Sequence, residues 1–178
     1  VAYETKSTSV ATGHNADDIM VYALKSILIH DYASLSKLVP KTENVLGGIP
    51  HIRPLYETYE REIFLYAIAN NLPFVPEPCP FRPKDMYIDF LRNFIEELER
   101  KQPGIKIRFL RGLEEYKENY RSMVNKKYKY NRCKICGLIS SSNICSFDRF
   151  TKNVFGIYLG PHVKNIVKSK IKDTKFSL

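Results

Sequence analysis

Thr8-Ser9-Val10-Ala11-Thr12-Gly13-His14-Asn15-Ala16-Asp17-Asp18 is the stretch on which the fold reading turns. Its first half is short and β-branched and ends in glycine, which suits a buried parallel strand running into a tight turn. Asn15, Asp17 and Asp18 then supply cap and first-turn residues for a helix. The apolar positions of that helix, Ile19, Met20, Ala23, Leu24, Ile27 and Leu28, recur at three- and four-residue steps along one face. The unit is strand, turn, helix. In open α/β sheets nucleotides sit where strand ends meet helix starts, so Gly13, His14, Asp17 and Asp18 are candidate nucleotide-side residues. Paired carboxylates there can hold Mg²⁺ on phosphates or handle protons. Asx residues at a helix start also serve as plain caps, and both readings stand at this point.

Further along, a loop with Pro40 and Gly47-Gly48 and the segment Ile52-Arg53-Pro54-Leu55 lead into a second helix, Thr58 to Asn70. Ile63, Phe64, Ala67 and Ile68 share one of its sides. Leu72-Pro73-Phe74-Val75 reads as the next short strand. The run Pro76-Glu77-Pro78-Cys79-Pro80 follows, where three prolines forbid helix and put Cys79 on a stiff loop. Cys79 is then either a small buried hydrophobe or an exposed thiol. A helix over 85–101 carries Tyr87, Leu91, Phe94, Ile95 and Leu98 on one face, and Pro103-Gly104 ends it. Another is expected from Ile105 toward Met123, and Lys126 to Tyr130 forms a basic linker. Alternating strands and helices indicate α/β with a parallel sheet, but two strands make less than an ordinary sheet. The visible sequence reads as half a domain.

Cys133-Lys134-Ile135-Cys136 and Cys145-Ser146-Phe147-Asp148 form two short knuckles. A two-residue spacer in a tight turn points both flanking side chains inward, and two such turns surround one tetrahedral ion, zinc by preference. Cys133, Cys136 and Cys145 are candidate ligands, with Asp148 as the fourth and His162 as its substitute. A ribbon that has lost its metal is the alternative. A closed four-ligand site of this kind is structural, because no coordination position stays open.

Composition narrows the class. The chain has 178 residues with 44% apolar and 12% aromatic side chains, enough for one proper core. The longest apolar stretch, Val21 to Ile29, is broken by Lys25 and Ser26 and falls short of the roughly 20 residues needed to cross a bilayer. Three of the four cysteines are bunched near the C-terminus, which fits metal ligation in a reducing, intracellular compartment. The sequence starts at Val1 with no secretory signal, so a missing N-terminus is expected. Residues 1–120 carry 15 basic and 17 acidic side chains; residues 121–178 carry 13 and 2. Concentrated Lys and Arg attract polyanions, and Tyr120, Tyr128 and Tyr130 can stack on unpaired bases. Nucleic acid is the leading partner, with a solvated tail over Lys164 to Lys175 as the bland alternative.

Five segments together resemble a family: Ala11-Thr12-Gly13-His14-Asn15-x-Asp17-Asp18, Ile52-Arg53-Pro54-Leu55, Glu77-x-Cys79-Pro80-Phe81, Arg100-Lys101-Gln102-Pro103-Gly104-Ile105-Lys106 and Cys133-x-x-Cys136-Gly137. In order and spacing they resemble the TtuA-like tRNA 2-thiouridine synthesis enzymes of the PP-loop ATP pyrophosphatase superfamily. The resemblance implies an α/β fold: the C-terminal half of a Rossmann-like PP-loop (adenine nucleotide alpha hydrolase-like) domain over 1–125, a small zinc ribbon over 126–152 and a basic tail over 153–178. It implies a cytoplasmic tRNA sulfurtransferase in which ATP with Mg²⁺ adenylates a uridine C2 oxygen and sulfur displaces AMP, closer to the enzymes of T-loop position 54 than to the wobble-position relatives. Gly13 and His14 match the nucleotide-side turn, and Asp18, or Asp17, matches the catalytic acid. Cys79 matches one of three cysteines that hold a [4Fe-4S] cluster, and the knuckles match a zinc ribbon for tRNA binding.

The family's Ser-Gly-Gly-x-Asp-Ser loop and its Cys-x-x-Cys cluster pair are absent from this sequence, and Asp148 replaces the fourth ribbon cysteine. Without them the chain is expected to be inactive unless an N-terminal half or complementary chain supplies the missing elements. Further implied partners are tRNA, a sulfur-carrier protein and a second copy in a homodimer, with no membrane. The rival readings are a non-catalytic RNA-binding ribbon module and a degenerate remnant.

Overall fold

The computed structural model describes residues 1–2, 4–42, 49–75, 77, 80, 85–124 and 131–173, with side chains to residue 171. The central stretch folds as its pattern demands. β1 (Val10–Ala11) leads through an extended turn into α1 (Ala16–Leu28). Asn15 caps α1: its side chain accepts from the Asp18 N–H at 3.0 Å, and the Asp18 carboxylate accepts from the Asn15 N–H at 3.4 Å. Two of the four unsatisfied donors at this helix end are thereby met by reciprocal bonds.

β1 pairs with β2 (His51–Ile52). The Val10 N–H donates to Pro50 O at 2.9 Å and the Thr12 N–H to Ile52 O at 3.0 Å, so the bonds advance in the same direction along both segments. The pair is parallel, over strands of two residues each, but its second strand lies at His51–Ile52, where the sequence predicts only a segment leading into a helix. The expected strand at Leu72–Val75 is a correction: these residues have no strand partner among the described residues and lie exposed. Pro73 contributes no N–H, and Asn71 at φ +50° turns the chain back so that the Leu72 N–H bonds to Ala67 O.

The chain divides into two compact units, Ala11–Thr42 with Ile52–Asn125, and Val1–Val10 with Glu43–His51 and Lys126–Leu178. The first is a helical unit with α2 (Tyr32–Leu35), α3 (Glu60–Ala69), α4 (Met86–Lys101), α5 (Ile105–Glu115) and α6 (Lys117–Ser122) around α1. α1 packs on α2, α4 and α5. Ile19 meets Tyr56 and Leu110, Met20 and Val21 meet Leu91 and Ile95, and Ala23 meets Leu35 and Leu113. Burying each of the larger apolar side chains favours the fold by about 1.5–3 kcal/mol. The buried Tyr56 hydroxyl is satisfied by Leu38 O at 3.0 Å or Leu110 O at 3.2 Å. The single helix expected from Ile105 to Met123 breaks at Tyr116 (φ −97°, ψ 16°), and the piece beyond it packs on α2.

The second unit holds the antiparallel pair β3 (Asn131–Arg132) and β4 (Ile139–Ser140), then α7 (Ser146–Phe155) and α8 (Gly160–Asp173). α8 occupies much of the stretch expected as a basic tail. Among the described residues no helix is long and apolar enough to cross a membrane.

Candidate functional site

The two knuckles come together as one buried quartet. Cys133, Cys136, Cys145 and Asp148 each offer one ligand atom, and these atoms lie within 4.8 Å of one another. Cys133 and Cys136 flank the turn between β3 and β4, and Gly137 exits it at φ +77°, a conformation that favours glycine. Cys145 is the N-cap of α7, where its sulfur accepts from the Asp148 N–H at 3.4 Å. Asp148, one turn into the same helix, is fully buried. The Cys133 sulfur accepts from the N–H groups of Ile135 and Cys145 at 3.4 and 3.3 Å, contacts that favour a thiolate.

The spacing fits one tetrahedral ion. With zinc–sulfur bonds of about 2.3 Å, the edge of a tetrahedron of thiolates is about 3.8 Å. Cys136 Sγ and Cys145 Sγ are 3.7 Å apart, and Asp148 Oδ2 stands 3.3 Å from the sulfurs of both Cys133 and Cys145. Atoms this close would surround a single ion and would leave no room for a four-iron cube. Burial pushes the Cys136 thiol up to about 12, with the neighbouring Asp148 carboxylate adding to the rise. A divalent cation supplies the charge that keeps such a group as thiolate.

Asp148 is fixed from behind. Its Oδ1 accepts from the Gly160 N–H at 2.8 Å, the first residue of α8, and Lys164 of the same helix donates to Cys136 O at 3.2 Å. A Cβ on Gly160 would stand 2.8 Å from Cys136 Cβ and closer still to the carboxylate, so no side chain fits there.

In the helical unit, Asp17 and Asp18 diverge although they are neighbours. Asp18 closes the capping box and pairs with Arg92 at 3.4 Å. Asp17 is buried, with one oxygen 2.5 Å from Lys106 Nζ and the other accepting the Glu60 N–H at 2.6 Å. Lys106, only 2% exposed, also pairs with Glu96 and lies 5.4 Å from the Tyr59 ring centre. Burial raises the Asp17 carboxyl, but the bonds from Glu60 and Lys106 outweigh it and hold it below the usual 3.8. Glu99 accepts from the N–H groups of Gly104 and Lys106, at 2.6 and 3.0 Å, and from the Tyr59 hydroxyl at 3.1 Å. Asp17, Tyr59, Glu96, Glu99 and Lys106 line a cleft of about 830 Å³ together with Phe64 and Arg92. Gly13 and His14 are exposed, and His14 Nδ1 lies 3.0 Å from Thr12 Oγ1.

No family model matches the chain. Among curated proteins, a tRNA-5-methyluridine(54) 2-sulfurtransferase of Pyrococcus horikoshii is 36% identical over 149 residues, 84% of this chain and 47% of the relative. Cytoplasmic tRNA 2-thiolation protein 1 of Oryza sativa subsp. japonica is 37% identical over 141 residues, 79% of this chain and 38% of the relative. The chain resembles the C-terminal part of tRNA 2-thiolation sulfurtransferases. It spans less than half the length of these relatives and matches their C-terminal part. Among solved structures, the U34-tRNA thiolase NcsA from Methanococcus maripaludis with its [4Fe-4S] cluster matches at a TM-score of 0.64 and 27% identity, covering 86% of this chain and 48% of that one. The mixed α/β architecture expected from the sequence matches about half of that solved thiolase.

Of the residues that the resemblance to the thiolation family singled out, the quartet assembles and the Gly13–Asp18 turn sits at the end of β1. Cys79 lies outside the described residues, as do Tyr128 and Tyr130. His162 is not in the quartet; Asp148 takes the fourth place. Two residues without an expected role emerge. Lys106 was visible as a cation in the first turn of a helix, where the dipole disfavours it. Gly160 was visible in Gly160-Pro161, a helix-start signal.

Proposed function

We propose that this segment is the C-terminal part of a tRNA 2-thiolation enzyme acting at uridine 54. The observation that carries the reading is the 36% identity to a position-54 sulfurtransferase across 84% of the chain; a Thermotoga maritima protein of the same name matches at 34% over 86%. In this reaction the uridine C2 oxygen attacks the α-phosphorus of ATP and pyrophosphate leaves. Sulfur then adds at C2 and AMP departs with the oxygen. A carbonyl oxygen is a poor leaving group, and adenylation makes it a good one.

The chain's own residues divide the work. The exposed Gly13–His14 turn, at a strand end, is the side on which nucleotide approaches. Asp18 is the acid for Mg²⁺ or proton handling, because it is partly exposed and held only by 3.4 Å contacts to the Asn15 N–H and Arg92, whereas both oxygens of the buried Asp17 are bound closely by Lys106 and Glu60, at 2.5 and 2.6 Å. Cys133, Cys136, Cys145 and Asp148 hold zinc as a structural ion, in a ribbon whose basic surface meets tRNA in the cytoplasm. Cys79 would be one ligand of the iron–sulfur cluster. Phosphate-binding elements and a sulfur donor come from outside this segment.

Deleting the gene in its own cells tests the reading. Total tRNA should lose 2-thiouridine at position 54 by mass spectrometry and regain it on complementation. Unchanged thiouridine content rejects 2-thiolation, and loss at position 34 alone rejects only the choice of site. In the complemented strain, Cys79→Ala should abolish thiolation while leaving tRNA affinity intact.

A further inference from the structure

The way α8 begins against Asp148 has no part in the function proposed for this chain. A buried carboxylate ligand has two oxygens. Oδ2 faces the sulfurs of Cys133 and Cys145, while Oδ1 points away from them and accepts the Gly160 N–H. A ligand's outer hydrogen bond fixes its orientation and raises its basicity, and losing one such partner weakens metal binding by about 10–100-fold. Here the outer partner is a backbone N–H at the start of a fourteen-residue helix, where the dipole is positive toward an anion.

The sequence around this contact is built for closeness. Gly160 has no Cβ to strike Cys136, Pro161 cannot compete for the carboxylate because it has no N–H, and the Leu159 N–H is held by Thr151 Oγ1 at 3.2 Å. Thr151 is itself buried and bonds back to Asp148 O at 3.2 Å. One turn into α8, Lys164 reaches Cys136 O. α8 therefore touches two of the four candidate ligands, one through an N–H and one through an ammonium.

We infer that Gly160 is a positioning residue of the metal site and that metal binding and the docking of α8 are a single event. Without an ion only weak S–H contacts from Cys133 and Cys145 hold Oδ2 inward, and no shared bond draws the three sulfurs and the carboxylate onto one centre. With the ion in place the carboxylate is oriented, the start of α8 is pinned, and the helix carrying Lys164 and Lys168 takes a defined position within its unit. The basic surface offered by this unit is thus set by metal occupancy. Substituting aspartate for the fourth cysteine is what makes this possible, since a thiolate has one donor atom and a carboxylate can bind metal and helix at once.

The inference rests on reading the quartet as a metal site, and the two are separable by experiment. Zinc is added to chelator-treated full chain while stoichiometry is measured by competition with a chromophoric chelator and amide exchange by mass spectrometry. The expected result is one zinc per chain, with exchange slowed at least tenfold both in the 133–148 knuckles and across 160–171. Gly160→Ala should weaken zinc by about 10–100-fold. Asp148→Asn should still bind an ion through three thiolates, with cobalt retaining its sulfur charge-transfer band, but should lose zinc-dependent protection in α8. Absence of zinc binding sinks the quartet itself. Zinc binding that protects the knuckles and leaves α8 exchange unchanged overturns the coupling while the metal site stands, as does undiminished α8 protection in Asp148→Asn.

Discussion

Lys106 sits in the first turn of α5, where a helix disfavours a cation, and it is almost wholly buried. It is tolerated because Asp17 and Glu96 neutralise it and Tyr59 presents its ring. Removing one partner of a buried pair leaves the other charge uncompensated, at about 3–5 kcal/mol. Lys106→Met should therefore destabilise the helical unit by that order in urea unfolding, and adding Asp17→Asn should recover part of the loss. The pH dependence follows from the same contacts. Burial would lower the Lys106 ammonium, but its bonds to Asp17 and Glu96 raise it above 10.5. Its contribution is complete below 10.5 and lost as pH climbs through the raised value. The Asp17 carboxyl is held below 3.8, so its contribution is complete above 3.8 and lost as pH falls through the lowered value. Thermal unfolding should show no pH dependence from this pair between about pH 5 and pH 9 and a loss of stability outside that window, absent from the double variant. The sequence showed Lys106 as the end of a motif but not its role. Periodicity reports faces, and a buried ion pair between residues 89 positions apart leaves no periodic trace.

At the scale of elements, boundaries were legible where side chains cap them locally. Asp85 caps α4 by accepting from Tyr87 and Ile88, and the expected helix over 85–101 is found at Met86–Lys101. Leu91 and Ile95 of its expected face are buried, whereas Tyr87 and Phe94 are exposed. α3 departs further: none of its ten residues is buried, although Ile63, Phe64, Ala67 and Ile68 share a side. An apolar stripe announces that a face is to be covered and says nothing about what covers it. The break at Tyr116 was equally invisible, because no glycine or proline marks it; α2 receives the piece beyond. Between α4 and α5 the chemistry is explicit. Gly104 stands at φ +81° and its N–H is held by Glu99. Gly104→Ala should cost about 1–2 kcal/mol from the left-handed backbone alone. Glu99→Gln should cost less, and the two losses measured in denaturant should fail to add, because both act on one turn.

The whole chain divides its charge as it divides its structure. Up to residue 120 acids slightly outnumber bases, whereas 13 of the 28 Lys and Arg residues lie in the last 58 positions with 2 acids. This much was plain from composition. What composition could not supply is which charges stay available once the chain folds. Lys168 pairs with Glu4 at 3.7 Å, Lys164 holds Cys136 O, and Arg111 is clamped to Glu57 at 2.9 and 2.7 Å. Lys134 and Arg149, flanking the quartet, are exposed. If this surface meets tRNA, each phosphate contact contributes about one counterion to the salt dependence of binding. Lys134→Ala and Arg149→Ala should each flatten the plot of log affinity against log salt by about 1, equally for any tRNA sequence. Arg111→Ala should leave the slope alone, since its charge is already spent on Glu57. Filter binding over a salt series decides the matter: a slope moved as much by Arg111→Ala as by Lys134→Ala would mean that the chain attracts RNA by overall charge, with no face of the cysteine-bearing unit preferred.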